Sequence, residues 1–391
     1  MVSLTRLIVF VSIFTSITLK SNSQYFLPIT KHEPTKQFYT TLTIGTLESS
    51  PLNLLLDLGT TLTLLDCDKV LLYQLVPCHS STCMSLPSYC DFEGIILCLY
   101  RHSKQTAIVV QDKVFISTTD DDRNFLSQVS FDNFTFSCAN DKTIQDFPPP
   151  LSGILSLSPL SSSFTKQVTS AFSVPPIFSL CLPSSGSFGS FHIGSVNTRR
   201  PISMTSTPMT FTDSRDYLIL VQSIYVEGTP LPLDSRFVLG GAKLSTVVPY
   251  TELHTDIYDA FAQSFTLQAM AMGISMVPSV APFKHCFDAR TVNNMTEPNV
   301  PMIEIGLPNV NATSEVNKWA FYDANTLVKV NETVKCLAFI DGGNKPKDLM
   351  VIGTHQLQDY MIEFDFNSSA LSFSESLLLY DSSCSTWPSQ K

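Results

Sequence analysis

Few residues of this 391-residue chain have a type and spacing that could do chemistry. The clearest is Asp57, in the run Leu54-Leu-Leu-Asp57-Leu-Gly-Thr-Thr-Leu-Thr-Leu-Leu65: an apolar strand, a sharp acidic turn with glycine, then an alternating strand. A carboxylate held there can exchange a proton with a reacting group as general acid or base. It can also do no chemistry and accept backbone N–H groups of its own tight turn. A second run of similar shape, Lys243-Leu-Ser245-Thr-Val-Val-Pro-Tyr-Thr-Glu-Leu253, carries Ser245 at the corresponding position. A hydroxyl cannot replace a carboxylate base in mildly acidic solution. The nearest acids, Glu252 and Asp256, fall beyond the turn at the start of a helix and are expected to point away. The 7 histidines are scattered without His-x3-His spacing, and no Gly-x-Ser-x-Gly elbow exists, which argues against a serine hydrolase.

The elements that must position these turns read as short strands. Phe38–Ile44, Leu52–Leu56, Thr106–Val110 and Phe131–Phe136 are β-branched or aromatic and bounded by turn residues. Ile177–Cys181, Tyr217–Val221, Ile224–Val226 and Tyr360–Phe366 continue the pattern. Helical spacing appears at Thr255–Met272, where Ile257, Phe261 and Phe265 recur behind a Thr-Asp start. The expected class is all-β with a few short helices. Arg199-Arg200-Pro201 breaks the pattern near mid-chain and marks an expected boundary between lobes 24–200 and 201–391. Ser152-Gly-Ile-Leu-Ser-Leu157 follows the Asp57 run, and Leu349-Met-Val-Ile-Gly353 follows the Ser245 run. A strand–turn–strand element and a later apolar pair beside glycine thus occur once per half.

Four such elements in this order resemble the pepsin-like aspartic peptidases, in which each half forms a β lobe and gives one Asp to the cleft floor. The chain resembles more specifically their plant secreted subgroup: carrot-type dermal glycoproteins, basic 7S globulins and wheat-type xylanase inhibitors. The residues that carry this are Asp57-Leu-Gly with Asp66-Cys-Asp68, Pro77-Cys-His-Ser-Ser-Thr-Cys83 and Phe178-Ser-Leu-Cys-Leu-Pro183. Leu244-Ser-Thr-Val-Val-Pro-Tyr250, Val280-Ala-Pro-Phe-Lys-His-Cys-Phe287, Val351-Ile-Gly-Thr-His-Gln-Leu357 and Cys384 complete it. The resemblance implies a bilobal pepsin-like fold and a catalytic pair of carboxylates about 3 Å apart sharing one proton. Here Asp57 would be the vestigial member and Ser245 the site of the lost one. Losing one acid–base group typically costs ~10²–10⁴ in rate. Leu58 also stands where such peptidases carry a small hydroxyl residue supporting the first Asp. Tyr100 lies about where their flap supplies a tyrosine, although a half-buried strand tyrosine needs no such role.

The function implied is a protein-binding, catalytically inactive homologue that inhibits cell-wall-degrading glycoside hydrolases in plant defence, without cofactor or metal. An aspartic endopeptidase with an altered dyad, and a storage or peptide-binding globulin, are the alternatives. In xylanase-inhibiting relatives the loop before the final cysteine brings a cation to the enzyme's carboxylates. The corresponding Ser374–Cys384 segment has no Lys, Arg or His, and Glu375 and Asp381 would be repelled, so weak or no xylanase inhibition is expected. Lys284, His285 and Arg290 could engage a hydrolase or a peptide ligand instead. The resemblance further implies disulfides Cys78–Cys83, Cys181–Cys384 and Cys286–Cys336, leaving Cys67, Cys90, Cys98 and Cys138 unassigned. It departs in two respects. The family typically has twelve cysteines, two of which are absent here with an apparently shortened loop between Cys90 and Cys98, and its relatives are basic.

Composition bounds the rest. With 44% hydrophobic and 15% charged residues the chain is too apolar for disorder. Lys plus Arg is 24 against 34 Asp plus Glu, a formal charge of −10 that argues against nucleic acid or an anionic membrane as partner. Residues 1–23 read as a cleaved signal peptide: Arg6, the apolar Leu7–Leu19, then Lys20-Ser-Asn-Ser23. No later stretch reaches the about 18 apolar residues of a span, and the polar end Trp387–Lys391 argues against a membrane anchor. The expected location is extracellular, in the apoplast or cell wall. Ten cysteines behind a signal peptide read as five disulfides, and no Cys-x2-Cys pair suggests zinc. Sequons at Asn133, Asn294, Asn311, Asn331 and Asn367 are expected glycosylation sites on exposed loops.

Overall fold

Along Gln37–Ile44, Phe38, Thr40, Leu42 and Ile44 are fully buried while the residues between them keep some exposure, the period of two that makes one face of a strand core. Strands built this way dominate the computed structural model, which describes residues 24–386 apart from 71, 91–96, 103–104, 120–124, 140–147, 186–187, 195–202, 213–215, 234–240, 294–299 and 312–315. The expected signal peptide 1–23, the expected lobe boundary at Arg199-Arg200-Pro201 and the sequon at Asn294 lie outside the described residues.

The internal repeat is a repeat of strand pairings. In the first half Ser50–Asp57 pairs in parallel with Gly153–Ser156, which is also antiparallel to Leu64–Asp66, which in turn runs parallel to the end of Phe125–Ala139. In the second half Gly241–Leu244 pairs in parallel with Met350–Ile352, antiparallel to Thr251–Leu253, which runs parallel to Phe339–Asp341. The same interlocked pattern therefore forms twice, and each copy ends its first strand at one of the two turns. Antiparallel pairing of Ile177–Cys181 with Met361–Asp365 joins the halves into one sheet, 20-stranded among the described residues, with Phe178 stacked on Phe364 at 4.5 Å beneath the seam. The architecture is the expected all-β, bilobal pepsin-like fold with short helices.

Observed strands outrun the sequence expectation on the first lobe. Thr106–Val110 and Phe131–Phe136 are the middles of a hairpin, Gln105–Thr119 with Phe125–Ala139. Their registers shift between Asp112 and Val114, near Asn133, whose φ is 61°. An extra residue at a bulge lets a strand bend without losing its ladder. The expected helix is present as Thr255–Ala271, burying Ile257, Tyr258, Phe261, Phe265 and Ala269, but its cap is the His254 ring, which accepts the Asp256 N–H at 3.1 Å. Asn133, Asn311, Asn331 and Asn367 are exposed, as glycan acceptors must be.

The disulfide Cys78–Cys83 is not formed. Cys78 pairs with Cys90, Cys83 with Cys98, and Cys67 with Cys138, while Cys181–Cys384 and Cys286–Cys336 are as expected. The reason is a helical turn, Ser81–Met84, capped by the Ser80 hydroxyl on the Cys83 N–H. It turns Cys83 inward against Leu62, Val76, Cys98 and Val109, where a strand and not Cys78 supplies the partner.

Candidate functional site

The two repeated turns meet at the seam. Thr246, the residue after Ser245, donates its hydroxyl to the Leu56 carbonyl at 2.7 Å and accepts the Leu58 N–H at 3.2 Å. Leu58 holds the matching place in the first turn and has no hydroxyl to return, so it lies buried in the core and the clasp has one arm.

Each turn is closed by its own polar side chain. Asp57 accepts the Gly59 N–H at 2.8 Å on one oxygen and the Thr60 hydroxyl on the other. Ser245 Oγ accepts the Val247 and Val248 N–H groups at 3.2 and 3.1 Å. A serine can close such a turn as an aspartate does, because the backbone asks only for an acceptor. What the exchange removes is the charge and the second titratable oxygen. Asp57 and Ser245 both line one cleft of about 430 Å³, and neither Glu252 nor Asp256 does.

Two residues of this cleft carried no assignment in the sequence. Asp216 sits just before the strand Tyr217–Leu220, whose register places Leu218 opposite Lys243 on Gly241–Leu244. Lys243 Nζ lies 2.8 Å from one oxygen of Asp216, and Lys347 Nζ lies 3.4 Å from the other. A Cβ on Gly59 would come within 3.2 Å of Asp216 and 3.5 Å of Asp57, so both carboxylates converge on that glycine. The cleft therefore has a second carboxylate, but it enters from the wrong element and is already paired. Lys243 was detectable, since it stands two residues before Ser245 on the same face of a strand. Asp216 had no local signal.

Tyr100 is more buried than expected, at 6%, yet it does line the cleft, its hydroxyl bonded to that of Thr61. Burial raises its pKa, opposed by the Thr61 bond, so it stays a neutral phenol. Its strand, Cys98–His102, is pinned at the root by Cys83–Cys98. Among the described residues one cluster, Cys78, His79 and Cys90, gathers metal-ligand atoms, and both its sulfurs are spent in a disulfide.

The other expected contact residues lie outside the cleft lining. Lys284 is paired with Asp341 at 2.5 Å and Arg290 with Asp288 at 2.7 Å, while burial and the neighbouring Lys284 lower the pKa of His285. Before Cys384, Leu377–Tyr380 forms a 3-10 turn that buries Leu377 and exposes Leu379 and Tyr380 at 47% and 55%.

The family described as xylanase inhibitor N-terminal matches residues 38–195, and that described as xylanase inhibitor C-terminal matches residues 216–375. The chain belongs to the xylanase-inhibitor family. Within that family it is 29% identical to the probable aspartic proteinase GIP2 of Nicotiana benthamiana, over 95% of this chain and 94% of that one. It is 35% identical to gamma conglutin 1 of Prunus dulcis, a match that takes in 66% of this chain and 61% of that protein. Among solved structures, edgp superposes with a TM-score of 0.83 at 28% identity, over 93% of this chain and 98% of that chain. Basic 7S globulin from soybean gives 0.81 at 24% identity over the same shares and speaks for the fold alone.

Proposed function

We propose that this member of the xylanase-inhibitor family is a secreted, catalytically inactive aspartic-peptidase homologue that works by binding another protein, as an inhibitor of cell-wall-degrading glycoside hydrolases. The observation that carries the inactive reading is Ser245, which closes the second turn with its oxygen committed to two backbone N–H groups. Proton sharing between like charges is what splits the pKa values of a catalytic carboxylate pair, and one carboxylate beside a hydroxyl cannot do it. Asp216 does not restore the pair, because Lys243 holds it as an ion pair. The inhibitor reading rests on family membership. The C-terminal strap presents Leu379 and Tyr380 with Glu375 in place of a cation, so the target is expected to be a hydrolase other than a xylanase bound through a cation at that loop.

Affinity capture with the mature glycosylated protein, from pathogen culture filtrate and from host wall extract, tests this. A captured glycoside hydrolase inhibited at equal stoichiometry supports the reading, and capture of none defeats it. Two other readings have specific support. Relatives named probable aspartic proteinase favour an endopeptidase with an altered dyad, and those named gamma conglutin and basic 7S globulin favour a storage or peptide-binding role.

A further inference from the structure

Replacing one carboxylate of a former pair leaves the other without a proton to share. A carboxylate can accept about four hydrogen bonds, and the structure gives Asp57 two, from Gly59 and Thr60. Ser245 has both oxygen lone pairs taken by Val247 and Val248, which leaves only its O–H to donate. Lys243 is committed to Asp216 at 2.8 Å. The lining holds two carboxylates and one ammonium, and Lys347, from outside the lining, lies 3.4 Å from the second Asp216 oxygen, so both cations serve Asp216 and Asp57 is the carboxylate with no cation against it among the described residues. Around it stand Tyr100, Leu244, Val247 and Val248, an apolar surround for a stem that carries a charged head. An anion would meet both carboxylates. A neutral hydroxyl would forgo the charge, and charge-assisted hydrogen bonds are roughly twice as strong as neutral ones.

We propose that the cleft binds the guanidinium or ammonium head of a basic side chain, presented by an extended peptide segment, with Asp57 as its anchor and the apolar surround covering its stem. The volume of about 430 Å³ is larger than such a head alone and admits the stem with it. A free polyamine shares the same head chemistry and is separated from a peptide by experiment. The inference goes beyond the hydrolase reading, and the two tests can fail separately.

The test is fluorescence anisotropy with a labelled pentapeptide, acetyl-Val-Val-Arg-Val-Val-amide, and its citrulline counterpart, which keeps the shape and loses the charge. The arginine peptide is expected to bind saturably, and the citrulline peptide about tenfold or more weaker, the scale of one charged hydrogen bond. Asp57→Asn, which preserves an acceptor for Gly59, should weaken the arginine peptide by a similar factor. Lys243→Gln should tighten it, because Asp216 loses its nearer ammonium. The two variants act in opposite directions, so a general loss of fold cannot imitate both. Equal binding of the two peptides, or unchanged binding to Asp57→Asn with an unaltered circular dichroism spectrum, would overturn the proposal. Displacement by spermidine at the concentrations where the peptide itself binds would overturn the assignment to a peptide.

Discussion

At Ser245 one atom type decides the reading of the cleft. The hydroxyl reproduces the turn and not the titration, so denatured casein at acid pH is expected to remain intact with the purified protein. Pepstatin-sensitive turnover that disappears in Asp57→Asn would sink this expectation. Ser245→Asp alone should not restore turnover, because Leu58 leaves the clasp one-armed and Lys243 would pair with the new carboxylate. A second titration belongs to His355. Burial lowers its folded pKa to about 4 from 6.5, with its Nε2 3.1 Å from the Leu327 carbonyl. Below pH 6.5 the unfolded chain takes up a proton that the folded ring refuses, so stability falls as pH drops from 6.5 towards 4 and then levels. The full shift corresponds to at most about 3 kcal/mol, reduced because the ring edge keeps some solvent contact. Urea midpoints measured across that window should show the fall, and His355→Gln should flatten it; a slope unchanged in the variant would assign the fall elsewhere.

Among the elements, the paired turns and the strand Cys98–His102 bridged to the helical turn Ser81–Met84 carry the consequences. Thr246 is the single arm between them, bonded at once to Leu56 and Leu58. Thr246→Val keeps the volume and strands both backbone groups in the core, and about 2–3 kcal/mol of destabilisation is expected from two lost hydrogen bonds and their desolvation. Chemical denaturation reads this directly. A loss under about half a kcal/mol would mean that the turns do not depend on the clasp. At the root of the strand Cys98–His102, the Cys83–Cys98 bridge closes a separation of 15 residues, worth about 3 kcal/mol on the chain-entropy account. Non-reducing peptide mapping should recover Cys83 with Cys98 and Cys78 with Cys90. A peptide in which Cys78 is bridged to Cys83 would refute the register of the whole cysteine-rich segment.

The whole molecule is closed by its last segment. Cys384 is bridged to Cys181 across 203 residues, its N–H is accepted by Asp359 at 2.9 Å, and the Asp359 carbonyl accepts the Leu377 N–H at 2.8 Å. Cys181 belongs to the strand that pairs with Met361–Asp365, so this tie locks the sheet that joins the halves. The double substitution Cys181→Ser with Cys384→Ser is expected to leave the lobes folded and to free the strap, giving early chymotryptic cleavage at Tyr380. Cleavage no faster than in the unaltered protein would show that Asp359 and Leu377 hold the strap unaided.

Much of this protein is local and could be read in order. Asp57 and Ser245 sit in equivalent turns because an apolar strand ending in an acceptor and a tight turn is a local pattern, and its recurrence implied two similar halves. The strand at Ile177–Cys181 and the helix at Thr255–Ala271 followed from their own periods. Tertiary structure decided what periods cannot encode. Cys83 chose Cys98 over Cys78 because one helical turn aimed it at a strand, and Asp216 reached Lys243 through a cross-strand register. Both contacts join residues whose distance along the chain says nothing of their distance in space, so only the packed sheet could reveal a second carboxylate in the cleft and its pairing with Lys243.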